Sequence, residues 1–240
     1  MLTKVLDSLL TVLYPQVCQN CGASVENFES GEACQNCWQR TRIFSGTETV
    51  CYKCSKFLSE KESDFQTFCH GCDAHFYEQA RAAGLYENAL QSSVLNLKRE
   101  PFVCQRVRKA FVSAFEKTRF QDADLIIPIP LSKKRLVERG FNQAGVLAKI
   151  LADVGEIKLD EQSLTRKIHT PVHRAGMDTK ARELTVKNAF EVTRPKLIKG
   201  KKILLIDDVF TSGATASACA KVLKKAGAEK VYVLTLARAI

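Results

Sequence analysis

Eight of the chain's ten cysteines stand in the first 72 residues, strictly in pairs: Cys18/Cys21, Cys34/Cys37, Cys51/Cys54 and Cys69/Cys72. Two intervening residues let both thiolates of a tight knuckle point at one ion while backbone amides hydrogen-bond the sulfurs. Two such knuckles supply a tetrahedral S4 set, which suits Zn2+. The runs C-x2-C-x12-C-x2-C and C-x2-C-x14-C-x2-C therefore read as two zinc ribbons holding two structural Zn2+ ions. The same thiolates also suit iron–sulfur ligation. Disulfides need an oxidising compartment, and a redox CxxC needs a thioredoxin-like strand–helix setting; the sequence signals neither. Spacing leaves open whether the pairs close consecutively or cross-braced, and consecutive closure is the simpler expectation. His70 and His75 flank the last knuckle but are not needed as ligands. Trp38, Tyr52, Phe57, Phe65 and Phe68 either stack on unpaired bases or form the small core a ribbon otherwise lacks.

A second concentration of chemistry lies near the other end. An apolar run, Lys202–Asp207, delivers Asp207 and Asp208 to a turn of small residues, Thr211, Ser212, Gly213, Ala214 and Thr215, that opens into a helix. Helix-start amides and hydroxyls suit a phosphate monoester, and the acids suit the hydroxyls of a sugar diol. Acids alone would pass for helix caps, but diol acceptors and phosphate donors adjoining on one loop point to a sugar phosphate. The segment lacks the Gly-Lys-Ser/Thr of a Walker A loop and the G-x-G-x-x-G of a dinucleotide fingerprint. Upstream, Ser132, Lys133, Lys134 and Arg135 follow the short strand Leu125–Ile127 and its Pro128-Ile129-Pro130 end. Three consecutive cations past a strand end suit a diphosphate. Arg139, Asn142 and Gln143, at the next helix start, stand within reach of the same ligand.

The elements that must position these groups alternate. Strand patterns at 82–86, 125–127, 202–207 and 230–236 are separated by helical patterns at 88–98, 102–118, 142–154 and 212–226. Such alternation with continuous apolar runs implies a parallel sheet covered by helices on both faces. Cys104 and Cys219 sit among apolar or small neighbours and read as core. Charge divides the chain: residues 1–75 hold 6 Lys/Arg and 9 Asp/Glu, whereas the whole chain of 240 residues carries +10. The expected domains are therefore 1–76, an N-terminal helix with a double zinc ribbon, and 77–240, a basic α/β body. Lys98, Arg99, Arg106, Arg108, Lys109, Lys117 and Arg119 form a basic cluster, either a solvated helix face or a polyanion surface. Mean hydropathy is −0.13, and no stretch approaches the ~18 apolar residues of a membrane span. Leu2, Val5, Leu6, Leu9, Leu10 and Leu13 recur at helical spacing, so the N-terminus reads as an amphipathic helix, not a signal peptide, and a cytoplasmic protein is expected.

LLIDDVFTSGAT resembles the phosphoribosyl pyrophosphate (PRPP) loop of type I phosphoribosyltransferases. The ribbon spacings, IIPIPLSKKRLVERGFNQAGVLA, ALQSSVLNLKRE and TPVHRAGMDTKARELTVKNAF are similar to the ComF competence proteins, the GntX-like group. The resemblance implies a type I phosphoribosyltransferase-like sheet preceded by a small double zinc ribbon. It implies that Asp207 and Asp208 face the ribose hydroxyls, that Thr211–Thr215 wraps the 5-phosphate, and that Ser132–Arg135 is the pyrophosphate loop. Mg2+ would bridge ribose and pyrophosphate oxygens. The family also implies a role in natural transformation, with single-stranded DNA and a competence helicase as partners. The expected activity is glycosyl transfer from PRPP to an acceptor; the alternatives are a small nucleobase or amine acceptor unrelated to DNA, and a non-catalytic PRPP sensor. One departure is His173, where the family often has Gln. His169 and His173 are not expected to bind metal, because Pro171 between them breaks any shared helical face.

Overall fold

The computed structural model describes residues 15–59, 65–167 and 188–239. The N-terminal helical pattern, His169 and His173 lie outside the described residues. The first cysteine unit carries a short helix, α1 (Gln35–Gln39), and the second an antiparallel pair, β1 (Thr49–Val50) and β2 (Phe57–Ser59). Then follow β3 (Gln79–Leu85), α2 (Asn88–Leu97), α3 (Gln105–Glu116), β4 (Leu125–Pro128), α4 (Lys133–Arg139) and α5 (Gln143–Gly155). The chain continues through β5 (Lys158–Leu159), β6 (Leu164–Arg166), β7 (Phe190–Val192), α6 (Pro195–Ile198), β8 (Lys202–Phe210), α7 (Ala214–Lys225) and β9 (Lys230–Arg238).

Five strands form one parallel sheet in the order β3-β9-β8-β4-β5, and β6 pairs with β7 in a separate antiparallel ribbon. Ile203, Leu204, Leu205 and Ile206 are all fully buried, as a strand covered on both faces requires. After β8 the chain turns to β9 on one side, and after β4 it turns to β5 on the other. The β4–β8 boundary is therefore a topological switch point, and the crevice beyond its strand ends is where open α/β sheets bind ligands. Register sets that crevice: Pro128 pairs with Ile206, and Asp207 with Thr235.

Each face of the sheet has its own core. On one, α2, α3 and α5 bury Leu90, Phe111 and Leu147, and Phe120 stacks on Tyr232 with ring centroids 4.9 Å apart. On the other, α7 and the β6–β7 ribbon bury Cys219, Leu223, Leu164 and Phe190. The cysteine units divide between them. Cys18, Cys34, Cys37 and Trp38 extend the first core; Cys51, Cys54, Cys72 and Tyr77 extend the second. The negative stretch and the basic body thus meet in shared cores and polar contacts. Arg106 donates to Gln35 Oε1 (2.5 Å) and lies over the Trp38 ring, Asn96 donates to Glu32 (2.7 Å), and Lys117 donates to the Ser45 carbonyl (3.0 Å). Part of the basic cluster is therefore used inside the molecule. Among the described residues no helix is long and apolar enough to cross a membrane.

Several boundaries differ from the sequence pattern for local reasons. β8 runs three residues past Asp207, because pairing with β9 continues through Val209↔Ala237 and Phe210↔Arg238. α3 starts at Gln105 with Cys104 as N-cap, and α7 starts at Ala214 because Gly213 takes the left-handed φ of 79°. The linker joining the two cysteine units runs along β3: Leu85 N–H donates to Arg42 O, Phe44 N–H donates to Ala83 O, and Ile43 bridges Gly84. This covers an edge that would otherwise template aggregation. Only a glycine fits there, since a Cβ on Gly84 would lie 2.4 Å from Arg42 O and 2.8 Å from Leu90 Cδ1. Gly84→Ala is expected to cost about 1–3 kcal/mol by overpacking. That lowers Tm by about 2–4 °C per kcal/mol in a chain of this size, measurable by calorimetry.

Candidate functional site

Cys18, Cys21, Cys34 and Cys37 form one cluster and Cys51, Cys54, Cys69 and Cys72 another, the sulfurs of each lying within 4.8 Å of one another. The pairing is consecutive. The S···S distances of 3.7 Å (Cys18–Cys37, Cys51–Cys72) and 3.5 Å (Cys21–Cys34, Cys54–Cys69) exclude disulfides. They fit the edge of about 3.8 Å that a tetrahedron with Zn–S bonds near 2.3 Å requires. Burial raises the Cys18 thiol, but backbone hydrogen bonds at Cys34, Asn20 and Cys21 outweigh it and bring Cys18 down to about 6. Cys51 is brought to about 7 in the same way, through Cys69, Cys54 and Lys53. Burial and neighbouring sulfurs push Cys37 and Cys72 up. Each tetrad thus offers a ready thiolate, and a divalent cation supplies the charge that ionises the rest.

At the crevice, β8 carries two consecutive acids whose carboxyls are near enough to interact directly with each other. Asp208 pairs with Lys98, which follows α2 on the first face (Nζ–Oδ2 3.5 Å). Asp207 lies toward α7, within electrostatic reach of buried Cys219. Each carboxylate accepts from the next amide: Asp208 N–H donates to Asp207 Oδ1 (2.9 Å), and Val209 N–H to Asp208 Oδ1 (2.8 Å). Dense protein around its carboxyl, then the neighbouring Asp208 charge, raise the Asp207 pKa well above the ordinary carboxylate range; Lys98 acts against both. Beyond the acids, Ser212 Oγ accepts from Ala214 N–H (3.4 Å), and Ser217 N–H makes the first main-chain bond of α7, to Gly213 O (2.8 Å). Amides ahead of that bond lack an intrahelical acceptor, an arrangement that suits an anion. Thr211 is exposed, Ser212 and Thr215 are half-buried, and Gly213 and Ala214 are buried.

The basic segment stands on the other side of the switch point. The residues read as a pyrophosphate loop form the start of helix α4: Ser132 is its N-cap, its Oγ accepting from Arg135 N–H (3.4 Å), and Gly140 at φ 77° ends it. Lys133 and Lys134 are exposed. The polar residues after it serve the local fold. Asn142 donates to Ile129 O (3.1 Å) at the end of β4, and Arg139 donates to Gln143 Oε1 (2.7 Å). Gln143 is buried, and its Nε2 finds no acceptor among the described residues.

A family model for the double zinc ribbon domain matches residues 9–74, and one for the phosphoribosyl transferase domain matches residues 93–240. The chain belongs to the phosphoribosyl transferase domain family. With the ribbon in front, it has the composition of the ComF proteins. It is 26% identical to Competence protein ComFC of Bacillus subtilis, across 84% of this chain and 89% of that one. It is 37% identical to Competence protein F of Haemophilus influenzae and 32% identical to DNA utilization protein YhgH of Escherichia coli. Those two alignments cover 48% and 51% of this chain, and 51% and 53% of the relatives.

In this ComF-type chain β8 carries Asp207 and Asp208 directly ahead of Thr211–Thr215, and the segment leading to α4 leaves β4 at the same end of the sheet, where Ile129 N–H donates to Ile206 O (2.8 Å). The structure adds residues that local spacing did not single out. Lys98 was legible only as one of seven basic residues, because its partner Asp208 lies far along the chain. Arg238, at the end of β9, donates to Thr211 O (3.4 Å). Of the two readings of Trp38, base stacking or ribbon core, the structure bears out the core: the ring is buried and its Nε1–H donates to Ser30 O (2.9 Å).

The raised Asp207 pKa has a consequence for stability. The folded state binds this proton more tightly than the unfolded chain, so native stability falls as pH rises from about 4 toward the folded pKa. Asp207→Asn keeps the Oδ1 acceptor and removes that cost. The ligand-free variant is expected to melt higher than wild type at neutral pH, by about 2–4 °C for each kcal/mol recovered, with the gap closing at acid pH. A lower Tm at neutral pH would show that the carboxylate stabilises the fold.

Proposed function

We propose that the crevice binds PRPP with Mg2+ and that the protein supports natural transformation in the cytoplasm, in the handling of incoming single-stranded DNA. The observation that supports the ligand reading is the acid pair of β8 running into the start of α7, beside the end of β4 from which the chain leads into a cationic helix. Asp207 and Asp208 accept from the ribose diol, Thr211–Thr215 receives the 5-phosphate, and Ser132, Lys133, Lys134 and Arg135 receive the pyrophosphate. Arg139, Asn142 and Gln143 stand within reach of the same ligand. Carboxylate and phosphate oxygens are the hard donors Mg2+ prefers, and the ion neutralises pyrophosphate charge when bound.

Transfer would form a bond from an acceptor nucleophile to C1 as the C1–O bond to pyrophosphate breaks and its electron pair leaves with pyrophosphate. The chain's part is positioning and charge neutralisation by α4 and the amides of α7. The transformation role rests on the names of the relatives, two of them competence proteins and one a DNA utilization protein. A competence helicase is the protein partner this role calls for.

Calorimetric titration with PRPP and Mg2+ tests the site. The double variant Asp207→Asn, Asp208→Asn weakens two charge-assisted acceptors worth about 1.5–3 kcal/mol each, so affinity should fall at least about 100-fold. Zinc content and fold should be unchanged. Retained affinity would sink the assignment, and pyrophosphate release across candidate acceptors would separate a transferase from a sensor.

A second reading, direct contact with single strands, is favoured by the second ribbon. Phe65 and Phe68 are 83% and 54% exposed, and Tyr52 packs beside Phe68 at 5.6 Å. Exposed rings in a ribbon that also carries Lys53 and Lys56 suit stacked bases. Labelled single strands should bind at low salt, with affinity falling steeply as salt rises, and Phe65→Ala with Phe68→Ala should weaken that binding. No binding at low salt would reject it.

A further inference from the structure

We propose that the second cysteine tetrad braces the phosphate loop, with His75 as the positioning residue that links them. His75 follows the last zinc ligand closely, and its N–H donates to Cys72 O (3.1 Å). Its ring is buried, and its Nδ1 stands 2.5 Å from Tyr77 Oη. Tyr77 meets Phe210 edge-on at 5.9 Å, and the Arg238 guanidinium covers Phe210 at 4.7 Å while donating to Thr211 O. These contacts close on Gly213, the residue whose left-handed φ of 79° turns the loop into α7. A Cβ there would lie 2.5 Å from Phe210 Cζ and 2.9 Å from His75 Cε1. The next residue, Phe76, donates its N–H to Ser217 Oγ (3.3 Å), one turn into the same helix.

Two features distinguish this from general packing. The contact falls on the one loop residue whose backbone only glycine adopts easily, so a shift of His75 acts directly on loop conformation. The tetrad and the loop also share a cleft of about 440 Å3, lined by Cys54, Cys69, His75, Thr211, Ser212 and Arg238. Without its ion, a unit as small as the second ribbon loses the ligand that organises it. The wall behind Gly213 then loosens. Coupling of this kind is reciprocal, so a ligand that orders the loop tightens the tetrad's hold on zinc.

For its functional consequence the inference rests on the phosphate-loop reading; the brace itself belongs to the ligand-free chain, which allows the two to be tested apart. Hydrogen exchange is followed on the full zinc-loaded chain for wild type, His75→Ala and His75→Phe, with zinc per chain measured in each. His75→Ala should keep two zinc ions while amides of 211–217 exchange faster by about 5- to 150-fold, the usual span of site–site coupling. The amides of α5 should keep their wild-type rates, and His75→Phe, which keeps a ring against Gly213, should stay near wild type. Equal exchange at 211–217 in wild type and His75→Ala overturns the brace.

A second measurement needs only wild type: ribose 5-phosphate should slow the release to a chelator of one of the two zinc ions. If calorimetry shows the sugar phosphate bound and both ions leave as fast as without it, the coupling is overturned. If it does not bind at all, the phosphate-loop reading fails, and the exchange rates alone decide the brace.

Discussion

The arrangement depends on the pairing of β8 between β4 and β9. Because all three strands are parallel and β8 is buried on both faces as far as Ile206, its acids emerge only where pairing with β4 ends at Pro128↔Ile206, while pairing with β9 continues. Register with β4 puts Ile129 beside Ile206, next to the acids, and register with β9 puts Arg238 opposite Phe210. A slip of one residue would exchange the faces to which the side chains of β8 point. The apolar run from Ile203 to Ile206 opposes such a slip, since both neighbouring cores would have to repack. Strand pairing thus sets the site, and loop chemistry elaborates it.

The two tetrads act within that frame. Neither cysteine unit has enough apolar residues for a core of its own, and each borrows one from a different face of the sheet. The first packs on α2 and α3, and α2 delivers Lys98 to Asp208; the second packs behind the phosphate loop. The charge distribution acquires a different meaning in this light. A Zn(Cys)4 centre carries −2, so the ribbons are more acidic than their side chains suggest, and basic residues of the body are arranged around them. Arg238 lies near the second tetrad: burial pushes the Cys54 thiol up to about 11, and the Lys56 amide and the Arg238 charge act against it. Arg81, pulled down to about 10 by burial, donates to Tyr52 O (2.7 Å) inside the same ribbon.

Legibility in the sequence followed the range of the interactions. The tetrads were legible because ligand spacing is local and tetrahedral chemistry is strict; only their pairing needed the fold. β8, α7 and β9 were legible because a doubly buried strand is a continuous apolar run. The edges were less so. β3 begins at Gln79, ahead of its apolar pattern, because pairing with β9 rather than side-chain burial sets its start. The basic segment looked like a loop, yet Ser132 and Gly140 supply the cap and the stop of a short helix. For Trp38 the sequence left stacking and core both open, and the structure makes it core, because α1 turns it inward onto Ser30. The Lys98–Asp208 pair and the His75–Gly213 contact join residues far apart in the chain, and no spacing rule reaches them.

Two adjacent carboxylates at a half-buried strand end are unfavourable in the absence of a ligand. Desolvation and mutual repulsion raise Asp207, while the Asp208 amide and the charge of Lys98, 3.5 Å from Asp208, oppose them. A fold retains such a pair only where the surroundings hold it in place. Here the supports come from both sides: α2, fastened to the first ribbon through Asn96 and Glu32, carries Lys98, while the second ribbon abuts the turn that follows the acids. An apolar cap of similar size would cover the same surface, but it would bring the dielectric penalty closer to the acids. A metal centre surrounded by backbone amides is rigid and compact without needing apolar bulk. The requirement for rigidity next to charge is a physical reason for metal-held units, rather than further helices, at this end of the sheet.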